Sequence, residues 1–322
     1  MAKLNEAQPD VQGTPQMMVS RHAVGRKKPL LAQVRNWLPW YLFIAPAVLM
    51  MLALLAYPLF DTLRLSLFKW GGIGPQKYVG LKNFEKLFGD DVFWLALKNS
   101  FLFAIVVPFV TVSLGLFLGV AISRRVRGWQ IYRIAFFIPV MMSGVVVATL
   151  WANMFEFNHG LFNTALRSIG LGGLVQNWLG DRNIALWSIM LVPIWQSVGF
   201  PMIVLLAAIE GIPQEMHDAA TVDGVNEWQR IWSLILPLIK PVLASITMLS
   251  IIGAMKVFDI VLVMTKGGPA FSTEVLGYYL FETAFRSGSF GYGSAIAVVM
   301  FVVIFIIAYG YVRGVRIEQI EY

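Results

Sequence analysis

The stretch that decides how this chain is read is GIPQEMHDAATVDGVNEWQRIWSLILPLIKP, Gly211 to Pro241. Pro213 suits a helix start, where its missing N–H costs nothing. Glu215 and Asp218 then fall near the positive end of the helix dipole. Ala219 and Ala220 favour helix and present a small profile. Gly224 can adopt the left-handed backbone that closes a helix. Met216, Ala219, Ala220 and Asp223 recur at helical spacing, and a second helical pattern runs from Trp228 to Leu236, into Pro237. The segment therefore predicts helix, glycine break, helix. Such a helix could lie in a lipid interface or seat in a groove of a partner. Its charge decides: Glu215, Asp218, Asp223 and Glu227 stand against Arg230. Interfacial helices favour Lys and Arg, so the sign favours a protein partner.

On either side of this stretch the chain is apolar. Of 322 residues, 58% are hydrophobic and 13% charged, with 23 Phe and 11 Trp; mean hydropathy is +0.70. Ordinary soluble domains carry about 25% charged residues, so a soluble enzyme, a disordered chain and a disulfide scaffold are disfavoured. Six runs are long enough to cross a hydrocarbon layer of about 30 Å: Trp40–Leu59, Ser100–Ile122, Tyr132–Met154, Ala185–Ile209, Ile235–Met264 and Ser294–Val312. Lipid leaves their backbones no option but helix. The expected fold class is all-α and polytopic. A polar tail covers residues 1–38 and is largely disordered, the membrane domain covers 39–313, and a short tail covers 314–322. Pro46, Pro58, Pro108, Pro139, Pro193 and Pro201 predict kinks within the spans.

Basic residues set the orientation. Arg21, Arg26, Lys27, Lys28 and Arg35 precede the first span. Arg124, Arg125 and Arg127 fill the second loop, and Arg313 and Arg316 follow the last span. Six crossings put all three groups on one side, so both termini are expected in the cytoplasm. The first loop, Phe60 to Asn99, runs against this bias with Arg64, Lys69, Lys77, Lys82, Lys86 and Lys98.

There is no Cys, and the three His (His22, His159, His217) are far apart, so no metal site or cofactor is expected. The sequence contains no G-x-x-x-x-G-K-[ST] phosphate loop and no nucleophile–base arrangement, so the chain is not expected to be an enzyme. The net charge of +7 fits topology better than nucleic-acid binding.

The central stretch resembles the EAA loop of permease subunits from binding-protein-dependent ABC importers. The pattern E-A-A, three residues, G, nine residues, I-x-L-P falls on Asp218, Ala219, Ala220, Gly224, Leu234, Leu236 and Pro237, with Asp218 in place of Glu and Leu234 in place of Ile. Asp223 before Gly224 is also common in the sugar-importing branch. YVGLKNFEKLF (Tyr78–Phe88) resembles the first external loop of sugar permeases. KVFDIVLVMTKGGPAFSTEVL (Lys256–Leu276) resembles the maltose-type larger permease and its glycerol-3-phosphate, lactose and multiple-sugar relatives.

The resemblance covers Trp40 to Arg313 and implies a type I importer fold, in which two permeases form a pseudo-two-fold pore over two ATP-binding subunits. It further implies a multi-pass protein of a bacterial or archaeal cell (inner) membrane. A carbohydrate, delivered by an extracytoplasmic solute-binding protein, would pass through it. Glu215, Asp218, Ala219, Ala220, Asp223, Gly224, Leu236 and Pro237 would form the ATPase-coupling surface.

Lys256 and Asp259 are three apart in the fifth span and either pair with each other or line the sugar path. Trp195, Gln196, Phe200 and Phe258 could add stacking faces and hydrogen bonds to that path. Gly267, Gly268 and Pro269 would form a tight external turn, either a plain turn or a contact for the binding protein. Rival readings are an importer permease for another solute, such as glycerol-3-phosphate or amino acids, and a stand-alone secondary transporter. The latter would need internal repeats or an ion relay, and neither is visible.

Overall fold

A computed structural model describes residues 30–125 and 127–315. The expected tail at residues 1–29, with Arg21, Arg26, Lys27 and Lys28, and the C-terminal stretch 316–322 lie outside the described residues. The chain divides into two compact units, 1–57 and 58–322. In the first, helix α1 (Leu30–Met51) begins inside the stretch read as tail and is followed by a π-helical turn, Leu52–Ala56.

The second unit opens with α2 (Tyr57–Leu65), strands β1 (Phe68–Lys69) and β2 (Lys77–Tyr78), and the short α3 (Lys82–Phe88). The strands pair antiparallel, with Phe68 opposite Tyr78 and Lys69 opposite Lys77. Then follow α4 (Asp91–Ser123), α5 (Trp129–Phe137), α6 (Gly144–Met154), α7 (Leu161–Ser168), α8 (Ala185–Ser197), α9 (Gly199–Glu210), α10 (Gln214–Val222) and α11 (Glu227–Gln229). The last elements are α12 (Leu236–Met255), α13 (Asp259–Met264), α14 (Leu276–Phe281) and α15 (Phe290–Gly314).

Four helical stretches are long and apolar enough to cross a membrane unaided: Trp40–Leu65, Asp91–Ser123, Glu227–Met264 and Phe290–Gly314. The third and fourth crossings expected as single helices are instead bent pairs. The segment 129–141 meets α6 at 99°, and α8 meets α9 at 41°. Pro139 tightens the end of the first pair into a 3-10 turn, after which Met142 and Ser143 are extended. Pro193 and Pro201 flank the second bend. Pro108 lies inside α4 without interrupting it.

Two prolines also explain two of the π-helical turns. Tyr57 N–H bonds to Leu52 O and Leu236 N–H to Ile231 O, each one residue before a proline. Pro58 and Pro237 have no N–H to continue the usual ladder, and the chain widens by one residue ahead of them.

Helix α4 is the axis of the second unit. Its Gly115 lies against Pro201 and Met202, and its Gly119 against Met202 and Leu206; a Cβ at either position would crowd the α9 backbone. Phe103 and Val107 of α4 pack with Val147 and Trp151 of α6, Ile189 of α8 and Val261 of α13. Toward one end, Leu87, Phe93, Met255, Leu276 and Ile296 bring α3, α12, α14 and α15 together. Toward the other, Val112, Val120, Leu205, Ile209, Ile212, Ile235 and Ile239 join α4, α9 and α12. Between helices in lipid these side chains stabilise through van der Waals packing rather than through removal from water.

Candidate coupling surface and central cavity

At the Ile212 end, α10 starts after Pro213 and stops in a two-bond cap. Val225 N–H donates to Ala220 O (3.0 Å) and Gly224 N–H to Thr221 O (3.1 Å). Gly224 has φ +70°, and a Cβ there would meet nothing within 4 Å. The cap thus needs glycine for its backbone, not for space inside this chain. Asn226 starts the next helix, its side chain accepting from Gln229 N–H (2.8 Å) while the Gln229 side chain accepts from Asn226 N–H (3.0 Å).

One face of α10 is open. Glu215, Asp218, Ala219, Val222 and Asp223 are exposed, at positions i, i+3, i+4, i+7 and i+8. Val222 is 88% exposed, an apolar residue with no cover among the described residues. It escaped the sequence reading, although its spacing from Glu215 and Asp218 marks it. The stripe of Met216, Ala219, Ala220 and Asp223 expected from spacing is divided. Met216 packs inward on the Val112 cluster, Ala220 is half-buried, and Ala219 and Asp223 face out. Leu236 is half-buried and Pro237 exposed. Gln214 donates to the Asp218 carboxylate (2.9 Å), which fixes that side chain along the helix. Glu227 bridges Arg124 (3.0 Å) and Arg230 (3.3 Å), and Arg230 donates to the Thr221 hydroxyl (2.9 Å). These bonds tie the loop after α4 to the back of α10.

Midway along α4 lies a cavity of about 450 Å³. Gln196, Phe200, Lys256 and Asp259 line it, as does Thr111. Trp195 and Phe258 do not. The Trp195 ring packs edge-on against Trp151 (5.6 Å) and the Phe258 ring against Phe281 (4.9 Å), so both serve the surrounding packing. Lys256 and Asp259 are not paired either. Helix α12 ends at Met255 and α13 restarts at Asp259, so the i, i+3 geometry of a continuous helix never forms. Among the described residues the ion pairs involve arginines alone.

Asp259 instead lies over Gly144, where any Cβ would overlap its carboxylate. Gly144 is the first residue of α6, so the carboxylate faces the positive end of that helix. Gln196 donates to Met142 O at the sharp bend (3.0 Å), satisfying a carbonyl that the break leaves without a helical partner. Thr111, absent from the sequence reading, is 2% exposed, and its hydroxyl has no hydrogen-bond partner among the described residues. The cavity therefore offers a carboxylate, an ammonium group and the Phe200 ring, with the Thr111 hydroxyl buried in its wall. That mixture of donors, acceptors and a flat apolar face is what a polyhydroxylated ring requires.

At the far end of α4, Asn99 donates to Ser272 O (3.0 Å) and Glu274 O (2.8 Å), and Leu276 N–H donates to the Ser100 hydroxyl (2.9 Å). These bonds hold the segment containing Gly267, Gly268 and Pro269. That turn is tight: Gly268 N–H donates to Thr265 O (3.0 Å), the Gly268–Pro269 bond is cis, and Gly267 has φ +78°. Glu274 is buried beneath Gly267, with no hydrogen bond to its carboxyl among the described residues. Burial, reinforced by the charge of Glu282, pushes its pKa up to about 8.

Residues 111–315 match the family described as binding-protein-dependent transport system inner membrane component. The chain is 36% identical over 266 residues to the probable ABC transporter permease protein YurN of Bacillus subtilis, covering 82% of this chain and 91% of that one. It is 31% identical over 280 residues to the trehalose/maltose transport system permease protein MalF of Thermococcus litoralis, covering 87% and 94%. Among solved structures, that of a bacterial alginate ABC transporter in complex with an alginate pentasaccharide-bound periplasmic protein matches with a TM-score of 0.79. The match covers 89% of this chain and 97% of that one, at 22% identity, and concerns the fold.

Proposed function

Because this chain belongs to the family of binding-protein-dependent transport system inner membrane components, we propose that it forms one half of the pore of an ATP-driven carbohydrate importer. It is a non-catalytic, multi-pass permease subunit of the inner membrane. Its substrate reaches it on a solute-binding protein, as is general for the family, and relatives named for starch degradation products, trehalose/maltose and alpha-glucosides support a sugar cargo. The observation that carries the sugar reading is the cavity lined by Gln196, Phe200, Lys256 and Asp259, whose unpaired Lys256 and Asp259 supply both kinds of hydrogen-bonding group. Glycerol-3-phosphate and amino acids are the competing cargoes.

In this reading residues 39–313 form the permease domain, beside a homologous second permease, with two ATP-binding subunits below. Both termini, the arginines around Arg124, and α10 face the cytoplasm. The exposed face of Glu215, Asp218, Ala219, Val222 and Asp223, ending at Gly224, seats in an ATP-binding subunit. Closure of the ATP-binding pair displaces α10 as a near-rigid body. Ile212, buried against Val112 and Ile239, passes that displacement to α4 and α12, between which the cavity lies. The turn at Gly267, Gly268 and Pro269 faces the binding protein.

Reconstitution of the assembled transporter in proteoliposomes tests this. Labelled oligosaccharide should accumulate only with ATP and a sugar-loaded binding protein, and Asp259→Asn should depress uptake while assembly persists. Uptake of labelled glycerol-3-phosphate or an amino acid, with no sugar transported, would overturn the cargo assignment.

A further inference from the structure

Three of the lysines that run against the orientation rule, Lys69, Lys82 and Lys86, gather at one cleft. Pairing of β1 with β2 sets Lys69 directly across from Lys77, and like charges facing each other weaken a strand pair. One turn of α3 carries Lys82 and Lys86 at i and i+4, again an unfavourable pairing. Lys69, Lys82 and Lys86 line a cleft of about 370 Å³ with Trp70, Asn83 and Tyr292. The Lys86 ammonium lies 4.4 Å above the Tyr292 ring.

No acid neutralises these lysines among the described residues. Asp90 is taken by the hydroxyls of Tyr279 and Tyr292, and Asp61 by Arg64. Asn83 spends both amide hydrogens on Ser66 O and Phe68 O. Beside the cleft, the loop between the strands projects Ile73, 95% exposed, flanked by Gly72 at φ +90° and Gly74 at φ +85°.

A cluster that weakens both a strand pair and a helix face, on the side where basic residues are disfavoured, is accounted for by an anion supplied from outside the chain. We propose that this cleft is a docking point for carboxylates on the solute-binding protein, with Ile73 as the apolar contact beside it. The inference rests on the import reading above, which requires a protein to release its cargo at this end. An exposed apolar tip next to a charged recess matches the mixture of core and rim at a protein interface.

The test compares the wild-type transporter with a Lys69→Gln/Lys82→Gln/Lys86→Gln variant in phosphatidylcholine nanodiscs. The probe is the purified, sugar-loaded binding protein that stimulates the wild type. Association should slow about tenfold at low salt, and the two rates should converge as salt screens the interaction. Lysine-to-arginine replacements should restore the wild-type rate, and ATP hydrolysis without binding protein should be unchanged. If the triple variant does not assemble, Lys82→Gln alone, at an exposed position of α3, should show about a twofold slowing with the same salt dependence. Equal rates and equal salt dependence in variant and wild type would overturn the proposal. A difference seen only when phosphatidylglycerol is added would also overturn it, in favour of lipid. A wild type that no sugar-loaded binding protein stimulates would instead sink the import reading itself.

Discussion

Replacement of Gly224 separates backbone strain from contact with a motor subunit. The residue has φ +70° and open space around its Cβ position. Inside this chain a side chain there meets no obstacle; its cost is the left-handed backbone alone, about 1–2 kcal/mol for Ala and less for Asn. At that scale the cap built from Val225 N–H and Ala220 O survives in Gly224→Asn and weakens roughly 5- to 30-fold in Gly224→Ala. Strain alone therefore orders the variants Gly, Asn, Ala, Val. A partner surface packed against Gly224 orders them by volume, with Asn as damaging as Val. We expect the volume order: Gly224→Asn and Gly224→Val both abolish binding-protein-stimulated ATP hydrolysis in proteoliposomes, while both still insert and Gly224→Asn keeps a melting temperature near wild type. Full stimulated hydrolysis and uptake in Gly224→Asn would refute the contact. Loss in Gly224→Ala equal to that in Gly224→Val, accompanied by a lower melting temperature, would show that only the cap matters.

Three further outcomes follow from the cavity and the turn. Thr111→Val should leave the melting temperature unchanged or raise it, because it removes a buried unpartnered hydroxyl, and should leave the uptake KM near wild type, because that hydroxyl lies behind the cavity surface. A KM raised about fivefold or more would instead place that hydroxyl on the cargo path. Exchanging Lys256 and Asp259 should not rescue the single variants, since the helix break keeps them from pairing; recovery to wild-type uptake would contradict that geometry. The raised pKa of Glu274 stabilises the folded turn fully below the unfolded value near 4.5, and this contribution is lost as pH rises toward about 8. Wild-type melting temperature should therefore fall across that window, and Glu274→Gln should flatten the profile; parallel profiles would argue against a buried protonated carboxyl.

The apolar helical stretches, four long enough to cross alone and two as bent pairs, were legible because apolar length is a local property, and the cap at Gly224 because glycine after an alanine-rich turn is a local signal. What the sequence concealed depends on contacts between distant residues. Pro139 marks a weak point in the third crossing. Its 99° bend also involves Gln196 on the Met142 carbonyl and Asp259 over Gly144, contacts that no local pattern encodes. Pairing Lys256 with Asp259 presumed an unbroken helix, and the chain breaks between them. Trp195 and Phe258 have the right chemistry for a sugar path, but neighbouring rings at Trp151 and Phe281 claim them. Thr111 belongs to no motif; only its burial without a partner singles it out.

The seam where Gly115 and Gly119 meet α9 also divides α4 into two unequal arms. At 1.5 Å per residue, α4 runs about 36 Å from that seam back to Asp91 and about 6 Å onward to Ser123. In the import reading, a tilt of α4 as a straight rod about that seam would turn about 1 Å of travel at the short arm into about 6 Å at the long arm. Asn99 and Ser100 ride near the tip of that long arm, bonded to the segment that carries Ser272, Glu274 and Leu276. Under the proposed function, a small stroke delivered beside Arg124 would then reach the segment around Ser272 as a displacement about the size of a water molecule or more.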